Sequence, residues 1–221
     1  MSFDVLKAKE ATLIKKSIQG KSIKLIPLDL ELHIPILFRL SNGSPITIDD
    51  ISIPEYDPDE VIWKYTLIFK FSSESSMLNF YQFHSNAPDC ILFTIFDLEL
   101  NLPVGVISYR YISLDHLTVE IGHLWVSPAV MRKGKSFEAC YFLINNAFDN
   151  GFRCVLWKCT DINEGSKLLA DKIGFRFEFQ GENIAIKEDL VVGASFFSMT
   201  SEEWNRYVES GRYQRFKIDS I

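Results

Sequence analysis

The chain has 221 residues, of which 47% are hydrophobic and 14% aromatic, enough to bury the core of one domain spanning residues 1–221. The formal net charge of −6 weighs against a nucleic-acid binder, because such proteins usually present a basic surface. No run approaches the ~18–20 apolar residues of a membrane span and the N-terminus lacks a signal-peptide core, so we expect a protein of the cytoplasm, or also of the nucleus, that binds no membrane.

The first part of the chain alternates between extended and helical patterns. Ser22–Leu28 alternates as a strand does, and Leu30–Leu40 has the spacing of a short helix interrupted at Pro35. Residues 41–62, rich in proline and acids, are predicted to form a long loop that is either a surface connection or a functional segment. Glu74–His84 has aromatic residues at helical spacing and is predicted to be a helix.

The middle of the chain predicts an antiparallel meander followed by a helix. The strands of the meander are Ile91–Leu98, Val104–Ser113 and Leu117–Val126. The hydrophobic period then becomes helical, with one apolar stripe formed by Phe137, Cys140, Tyr141, Ile144 and Phe148. Gly151 is predicted to end this helix as its C′ residue.

The last third predicts further strands and helices. They are a strand at Val155–Cys159, a helix at Glu164–Ile173 closed by Gly174, strands at Phe175–Gln180 and Ala194–Met199, and a C-terminal helical extension at about 201–215. Antiparallel strands early and helical crossovers late predict a mixed α/β (α+β) fold with a central mixed sheet flanked by helices.

The four cysteines give no sign of a metal site. They form no Cys-x-x-Cys pair, and no histidine lies at a ligand spacing from them. Because their segments are apolar, we expect buried free thiols. They are Cys90, Cys140, Cys154 and Cys159.

The turn at Pro128–Ser136 has the features of a phosphate-binding site. Gly134 allows close approach of a ligand to the backbone, and the following helix start presents unpaired N–H groups. Arg132, Lys133 and Lys135 add positive charge. The alternative is an ordinary helix start with solvated lysines.

Asn163 and Ser166 open the next helix. Asn163 is a good N-cap residue, and its amide could also hydrogen-bond a ligand that lies across the sheet edge. The Ser166 hydroxyl, one turn into the helix, could donate a proton to a leaving group. Helix capping alone is the alternative reading of both residues.

Glu120 and His123 lie on the strand that leads to the basic turn. A carboxylate in mid-strand that does not face solvent is costly unless it is paired or functional, and a raised pKa would suit a general base. His123 could equally be a structural histidine. Strict alternation puts the two side chains on opposite faces, so both reach one site only if a β-bulge intervenes.

These motifs resemble the GNAT acyltransferases. The matching segments are Glu120-Ile-Gly-His-Leu-Trp-Val-Ser-Pro128, Arg132-Lys-Gly-Lys-Ser136, Phe137-Glu-Ala139, Trp157-Lys158, Asn163-x-x-Ser166 and Gly174-Phe175. The resemblance covers roughly residues 20–205, and its specific part is residues 118–176. It is strongest to the subgroup that includes the N-terminal acetyltransferases of ribosomal proteins.

The resemblance implies a sheet splayed between the strand ending at Val126 and the strand Val155–Cys159, with acetyl-CoA as cosubstrate in the split. The implied cofactor-binding residues are Leu124, Trp125, Val126, Arg132, Lys133, Gly134, Lys135, Ser136 and Asn163. The implied catalytic residues are Glu120 as general base, Ser166 as proton donor to the leaving thiolate, and His123 as a third candidate.

The resemblance also implies the reaction, which is transfer of an acetyl group to a primary amine in a ternary complex. The amine is either a protein N-terminal α-amine or a small-molecule amine, and the enzyme is a monomer or a homodimer. Met131 and Ser136 depart from the family's turn pattern, and Glu188–Gly193 replaces a basic signature. These departures leave open an alternative, a catalytically degenerate domain that binds CoA or a partner. An acyl-CoA hydrolase is a more distant alternative.

Overall fold

The computed structural model describes residue 13 and residues 15–48, 51–187 and 190–216. Within these residues the chain forms ten β-strands and five α-helices. The strands are β1 (Ile18–Gln19), β2 (Ile23–Pro27), β3 (Ile46–Ile48), β4 (Ile51–Ile53), β5 (Ile91–Asp97), β6 (Leu102–Ser113), β7 (Thr118–Val126), β8 (Cys154–Thr160), β9 (Arg176–Lys187) and β10 (Leu190–Thr200). The helices are α1 (Leu30–Arg39), α2 (Glu74–Ser85), α3 (Lys135–Asp149), α4 (Glu164–Ile173) and α5 (Ser201–Glu209), with a π-helical turn at Asp59–Trp63.

Eight strands form one sheet in the order β1-β2-β5-β6-β7-β8-β10-β9, while β3 and β4 form a separate hairpin. Neighbouring strands in the large sheet are antiparallel except β7 and β8, which are parallel. The predicted mixed fold and the predicted meander of β5, β6 and β7 are therefore confirmed. Because a parallel pair needs a long crossover connection, α3 runs from β7 back to the start of β8.

Helix α3 buries Cys140, Tyr141 and Ile144 of the predicted apolar stripe, whereas Phe137 and Phe148 are partly buried and pack against Phe216 and Trp204. It begins after Gly134, whose φ of +81° is a left-handed conformation that glycine adopts without strain. Gly151 follows the helix with a φ of +86°, as predicted for its C′ residue. The buried apolar residues of the helix are Ala139, Cys140, Tyr141, Leu143, Ile144 and Ala147.

Three regions differ from the sequence-based prediction. Helix α1 continues through Pro35, because Ile34 and Leu37 are buried on its inner face and Asp29 caps its first turn. The predicted loop 41–62 contains β3, β4 and most of the π-helical turn. Strands β9 and β10 extend beyond their predicted ends because they pair with each other; of the segment 188–193, positions 188 and 189 lie outside the described residues.

A buried ion pair ties the start of α3 to the end of β5. Lys135 Nζ lies 2.9 Å from Asp97 Oδ2, and the two side chains are only 6% and 1% exposed. Lys135 Nζ also donates a hydrogen bond to the Ser22 carbonyl oxygen at 3.2 Å. Because both charges are removed from water, each depends on the other for compensation.

We predict that Lys135→Met, which keeps the aliphatic stem and removes the charge, lowers the free energy of unfolding by about 3–5 kcal/mol, because it leaves the Asp97 carboxylate buried without a cation. Lys167→Met is the matched control: Lys167 pairs with the exposed Glu164, and loss of such a surface pair costs about 0–1 kcal/mol. Urea denaturation measures both values. Equal, small effects would show that the buried pair does not anchor α3.

Candidate active site

The sheet splits between the parallel strands β7 and β8. The two strands pair from Thr118 opposite Cys154 to Ile121 opposite Trp157, and the pairing ends there. Beyond that point β7 stays with β6, whereas β8 continues alongside β10 to Thr160. The strands therefore diverge and leave the cleft that the resemblance implied.

A β-bulge in β7 lies directly after the last pair with β8. Trp125 is opposite Val106 and Gly122 is opposite Ser108, so β7 has one more residue than β6 in this interval. His123 occupies the bulge with a φ of +51°. The alternation of side chains is broken there, and Glu120 and His123 both line one cavity.

This small cavity, of about 100 Å³, lies at the base of the split. It is lined by residues 65–68 together with Arg110, Glu120, Ile121, Gly122, His123, Leu124, Trp157, Lys158, Cys159, Thr160, Asn163 and Ser166. Burial raises the pKa of Glu120, and the charges of Lys158 and Arg110 act in the opposite direction. A carboxylate with a raised pKa at the end of a cleft is suited to proton transfer near neutral pH.

His123 is held as a neutral side chain. Its Nδ1 lies 2.8 Å from Ser108 Oγ, and its ring packs against the rings of His84 and Phe80 at centroid distances of 4.4 and 5.7 Å. Burial, with smaller effects from Arg110 and His84, lowers the pKa of His123 to about 2. The ring therefore carries no charge at neutral pH, and its contacts are those of a structural histidine that lines the cavity.

Ser166 and Asn163 stand where β8 leads into α4. Asn163 Oδ1 accepts a hydrogen bond from the Ser166 backbone N–H at 2.9 Å, so its predicted N-cap role is confirmed. Asn163 Nδ2 donates to the Tyr65 carbonyl oxygen at 2.9 Å. Ser166 Oγ accepts a hydrogen bond from Trp157 Nε1 at 3.1 Å, which places the hydroxyl at the cavity.

The segment 65–68 crosses the split, a feature that the sequence reasoning missed. The Tyr65 carbonyl accepts a second hydrogen bond from Thr160 Oγ1 at 2.8 Å, so the segment is attached to both β8 and the start of α4. The segment follows the predicted loop 41–62 directly, but the residues that hold it lie about a hundred positions further along the chain. Periodicity gives no signal for such a contact.

A larger groove, of about 730 Å³, extends from the split along the start of α4. It contains seven of the predicted site residues: Leu124, Trp125, Val126, Arg132, Ser136, Asn163 and Ser166. The Trp125 indole is buried and donates a hydrogen bond to Tyr81 Oη at 2.7 Å. It is therefore the backbone of Trp125 that is available to the groove. The groove and the small cavity share Tyr65, Thr66, Leu124, Asn163 and Ser166 as lining residues.

The groove continues into a cavity of about 330 Å³ at the N-terminus of α3. This cavity contains Arg132, Gly134, Lys135 and Ser136, and Arg132 has a left-handed φ of +62°. A side chain at Gly134 would meet nothing within 4 Å, so its position is open to a ligand. The first N–H groups of a helix lack partners within it, and the arrangement therefore suits a phosphate group.

The expectation that the Lys135 ammonium adds charge to this turn is wrong. That ammonium points into the protein, where it pairs with Asp97, because Asp97 is buried and needs a cation. The Lys133 side chain is exposed and lines neither the groove nor its continuation. Arg132 is thus the side-chain cation of the turn that faces the groove.

No group of three or more His, Cys, Asp or Glu side chains in the described ranges is placed to hold a metal ion. No helix among the described residues is long and apolar enough to span a membrane.

Comparison with known structures shows the same fold elsewhere. A probable GNAT-family acetyltransferase from Chromobacterium violaceum is 26% identical, with a TM-score of 0.77 over 88% of this chain and 90% of the other. A GCN5-related N-acetyltransferase from Brucella melitensis is 20% identical, with a TM-score of 0.77 over 92% and 88%. An acetyltransferase from Salmonella typhimurium that modifies the N-terminal serine of ribosomal protein L7/L12 is 16% identical, with a TM-score of 0.66 over 81% and 95%.

Comparison with sequences gives the family. A search of curated proteins finds no match. The sequence profile of the acetyltransferase (GNAT) domain matches residues 44–176, well over half of the chain. Together with the splayed sheet and the helix start beside the groove, this match establishes that the chain belongs to the GNAT family and is an N-acetyltransferase.

Proposed function

We propose that this N-acetyltransferase transfers the acetyl group of acetyl-CoA to a primary amine, either a protein N-terminal α-amine or a small-molecule amine, by direct attack in a ternary complex. The observation that carries the proposal is the continuity of two cavities. The groove that begins at α3 meets the small cavity at Asn163 and Ser166, and Glu120 lies in that small cavity. A carrier in the groove and an amine beside Glu120 would meet at this junction.

The groove has the features that an acetyl-CoA site requires. Arg132 and the backbone N–H groups of Gly134, Lys135 and Ser136 would hold the pyrophosphate, and the β7 edge from Leu124 to Val126 would pair with the pantetheine amides. Acetyl-CoA, when bound, supplies an activated acetyl thioester. Asn163 uses one Nδ2 N–H for the Tyr65 carbonyl and one lone pair of Oδ1 for the Ser166 N–H, so its second N–H and second lone pair remain to contact the pantetheine arm.

Glu120 is the proposed general base. An α-amine has a pKa of about 8 and a lysine amine about 10.4, so forming the neutral amine at pH 7 costs roughly 1.4 and 4.6 kcal/mol. A single carboxylate therefore favours an α-amine or another amine of low pKa. The Salmonella enzyme of the same fold, which modifies an N-terminal serine, supports an α-amine acceptor by analogy of fold only.

Ser166 is the proposed proton donor to the departing thiolate. Because Trp157 Nε1 donates to Ser166 Oγ, the hydroxyl keeps its own proton for donation. His123 is assigned a positioning role: its neutral ring, at the bulge, packs against Phe80 and His84 of α2.

A catalytically degenerate CoA-binding domain is the second candidate. The observation that favours it is the segment 65–68, which crosses the split and whose Tyr65 carbonyl takes up one N–H of the Asn163 amide. We expect calorimetric titration to show acetyl-CoA binding, and a thiol-release assay to show CoA formation only when an α-amine is added. Binding without release would support the degenerate domain, and release without an amine would support a hydrolase.

We predict that Glu120→Gln lowers kcat by about a hundredfold or more. In the wild type, kcat/KM should fall as the pH drops through a value above the ordinary glutamate pKa of about 4.3, since burial raises the pKa of Glu120 and only its ionised form accepts a proton. In Glu120→Gln the acid limb should move up to the pKa of the amine, about 8 for an α-amine, because without the base only the neutral amine reacts. In His123→Gln the limb should stay at its wild-type position, because the pKa of His123 is lowered to about 2 and the ring does not titrate in this range.

An acid limb that stays at its wild-type position in Glu120→Gln, with full activity, would contradict the assignment of the base.

We predict that Ser166→Ala lowers kcat by about a hundredfold while the Kd for acetyl-CoA stays within about threefold of the wild-type value. The physical reason is that the hydroxyl acts on the thiolate, which forms only during the reaction. Ser210→Ala, which removes an exposed hydroxyl bonded to the Tyr207 carbonyl, is the matched control and should leave both values unchanged. Wild-type kcat in Ser166→Ala would exclude the proposed role.

A further inference from the structure

Two cations face the small cavity beside Glu120. Arg110 of β6 is paired in register with Glu120, and its Nη1 lies 3.9 Å from Glu120 Oε1. Lys158 of β8 lines the same cavity and acts electrostatically on the same carboxylate. Within the described residues, Lys158 forms no ion pair, and Glu120 is the only carboxylate within 4.0 Å of Arg110. The cavity therefore holds more positive than negative charge.

The path of the Arg110 side chain depends on Gly122. A Cβ at position 122 would lie 2.3 Å from Arg110 Cδ, a distance that no side chain can accommodate without moving the arginine. Gly122 does not have a left-handed φ, so the backbone conformation does not explain the glycine. Because Gly122 has no side chain, the Arg110 side chain can pass over β7 toward the cavity.

A second bulge, in β6, places an aromatic ring beside both cations. Arg110 is opposite Glu120 and Ser113 is opposite Thr118, so β6 has one extra residue there, and Tyr111 has a φ of +49°. Arg110 Cζ lies 4.8 Å from the centre of the Tyr111 ring and Lys158 Nζ lies 5.7 Å from it. Tyr111 Oη accepts a hydrogen bond from Arg110 Nη2 at 2.8 Å. The ring, 52% exposed, thus lies within cation–π distance of both cations.

An amine acceptor must enter this positive region to reach Glu120. Most amines arrive as cations, which Arg110 and Lys158 repel, and Glu120 is the only carboxylate among the described residues that line the cavity. Asp89 influences the pKa of His84 but does not line the cavity. An anionic group carried by the acceptor itself would remove the repulsion and form charge-assisted hydrogen bonds with both cations.

We propose that the acceptor carries a carboxylate within a few bonds of its amine, and that Arg110 and Lys158 bind this carboxylate. The inference rests on the proposed function and adds the class of substrate to it. The carboxylate has two sources, the α-carboxylate of a free amino acid or an acidic side chain near a peptide N-terminus.

The test compares acceptors with and without a carboxylate. One pair is alanine and alaninamide; the other is a C-terminally amidated peptide with Asp at its second position and the same peptide with Asn. The variants are Arg110→Gln, Lys158→Gln and Gly122→Ala, with Arg206→Gln on α5 as the control for loss of a remote cation. Because each variant is compared with wild type on the same acceptor, differences in amine basicity cancel.

We expect the preference for the anionic member of one pair, meaning the ratio of its kcat/KM to that of its neutral counterpart, to fall about ten- to hundredfold in Arg110→Gln, as for loss of a hydrogen bond to a charged group. Any effect of the substitution on Glu120 is shared by both members of a pair and cancels in this ratio. Gly122→Ala should reproduce this loss of preference, and Arg206→Gln should not. The pair that responds identifies the source of the carboxylate. A ratio that stays within about threefold of the wild-type ratio for both pairs, in both Arg110→Gln and Lys158→Gln, would overturn the inference.

If no amine is acetylated, the proposed function fails separately, and binding then decides the inference. The acidic peptide and alanine are titrated calorimetrically in the presence of CoA. Binding of either one to the wild type that is lost in Arg110→Gln supports the carboxylate site. Equal binding to both proteins, or no binding to the wild type, overturns it.

Discussion

The extra residue in β7 is the constraint on which the site depends. In an unbroken strand, Glu120 and His123 would face opposite sides of the sheet. The bulge at His123 brings both into one cavity, and it comes immediately after the last pair between β7 and β8, where a bend allows the two strands to part. Contacts of the His123 ring offset the cost of its left-handed backbone, since the ring is hydrogen-bonded to Ser108 and packs on α2.

Burial has opposite consequences for these two neighbours. It disfavours the charged form of each, so the pKa of Glu120 rises and that of His123 falls. Arg110 opposes the shift of Glu120 and adds to that of His123, because a cation stabilises a carboxylate and destabilises an imidazolium. One environment thus produces a carboxyl able to exchange its proton and a histidine that keeps a single charge state.

Distant contacts hold both sides of the split. On one side, the Lys135–Asp97 pair fixes the start of α3 against β5, which orients the helix terminus toward the groove. On the other side, the Tyr65 carbonyl joins the crossing segment to Thr160 and Asn163. The helix terminus and the crossing segment border one continuous space, in which the groove and the small cavity share their lining.

The sequence by itself determined the meander, the apolar stripe of α3, the Asn163 cap and the helix-ending glycines at 151 and 174. Periodic burial, capping and backbone conformation are local properties, which is why the sequence predicts them. It also named Glu120 and stated the bulge as a condition, without deciding whether the bulge exists. Only the tertiary structure decided the inward direction of Lys135, the continuation of α1 through Pro35, the crossing by Tyr65 and the path of Arg110 over Gly122. Most of these depend on contacts between residues far apart in the chain, whose geometry no local pattern encodes.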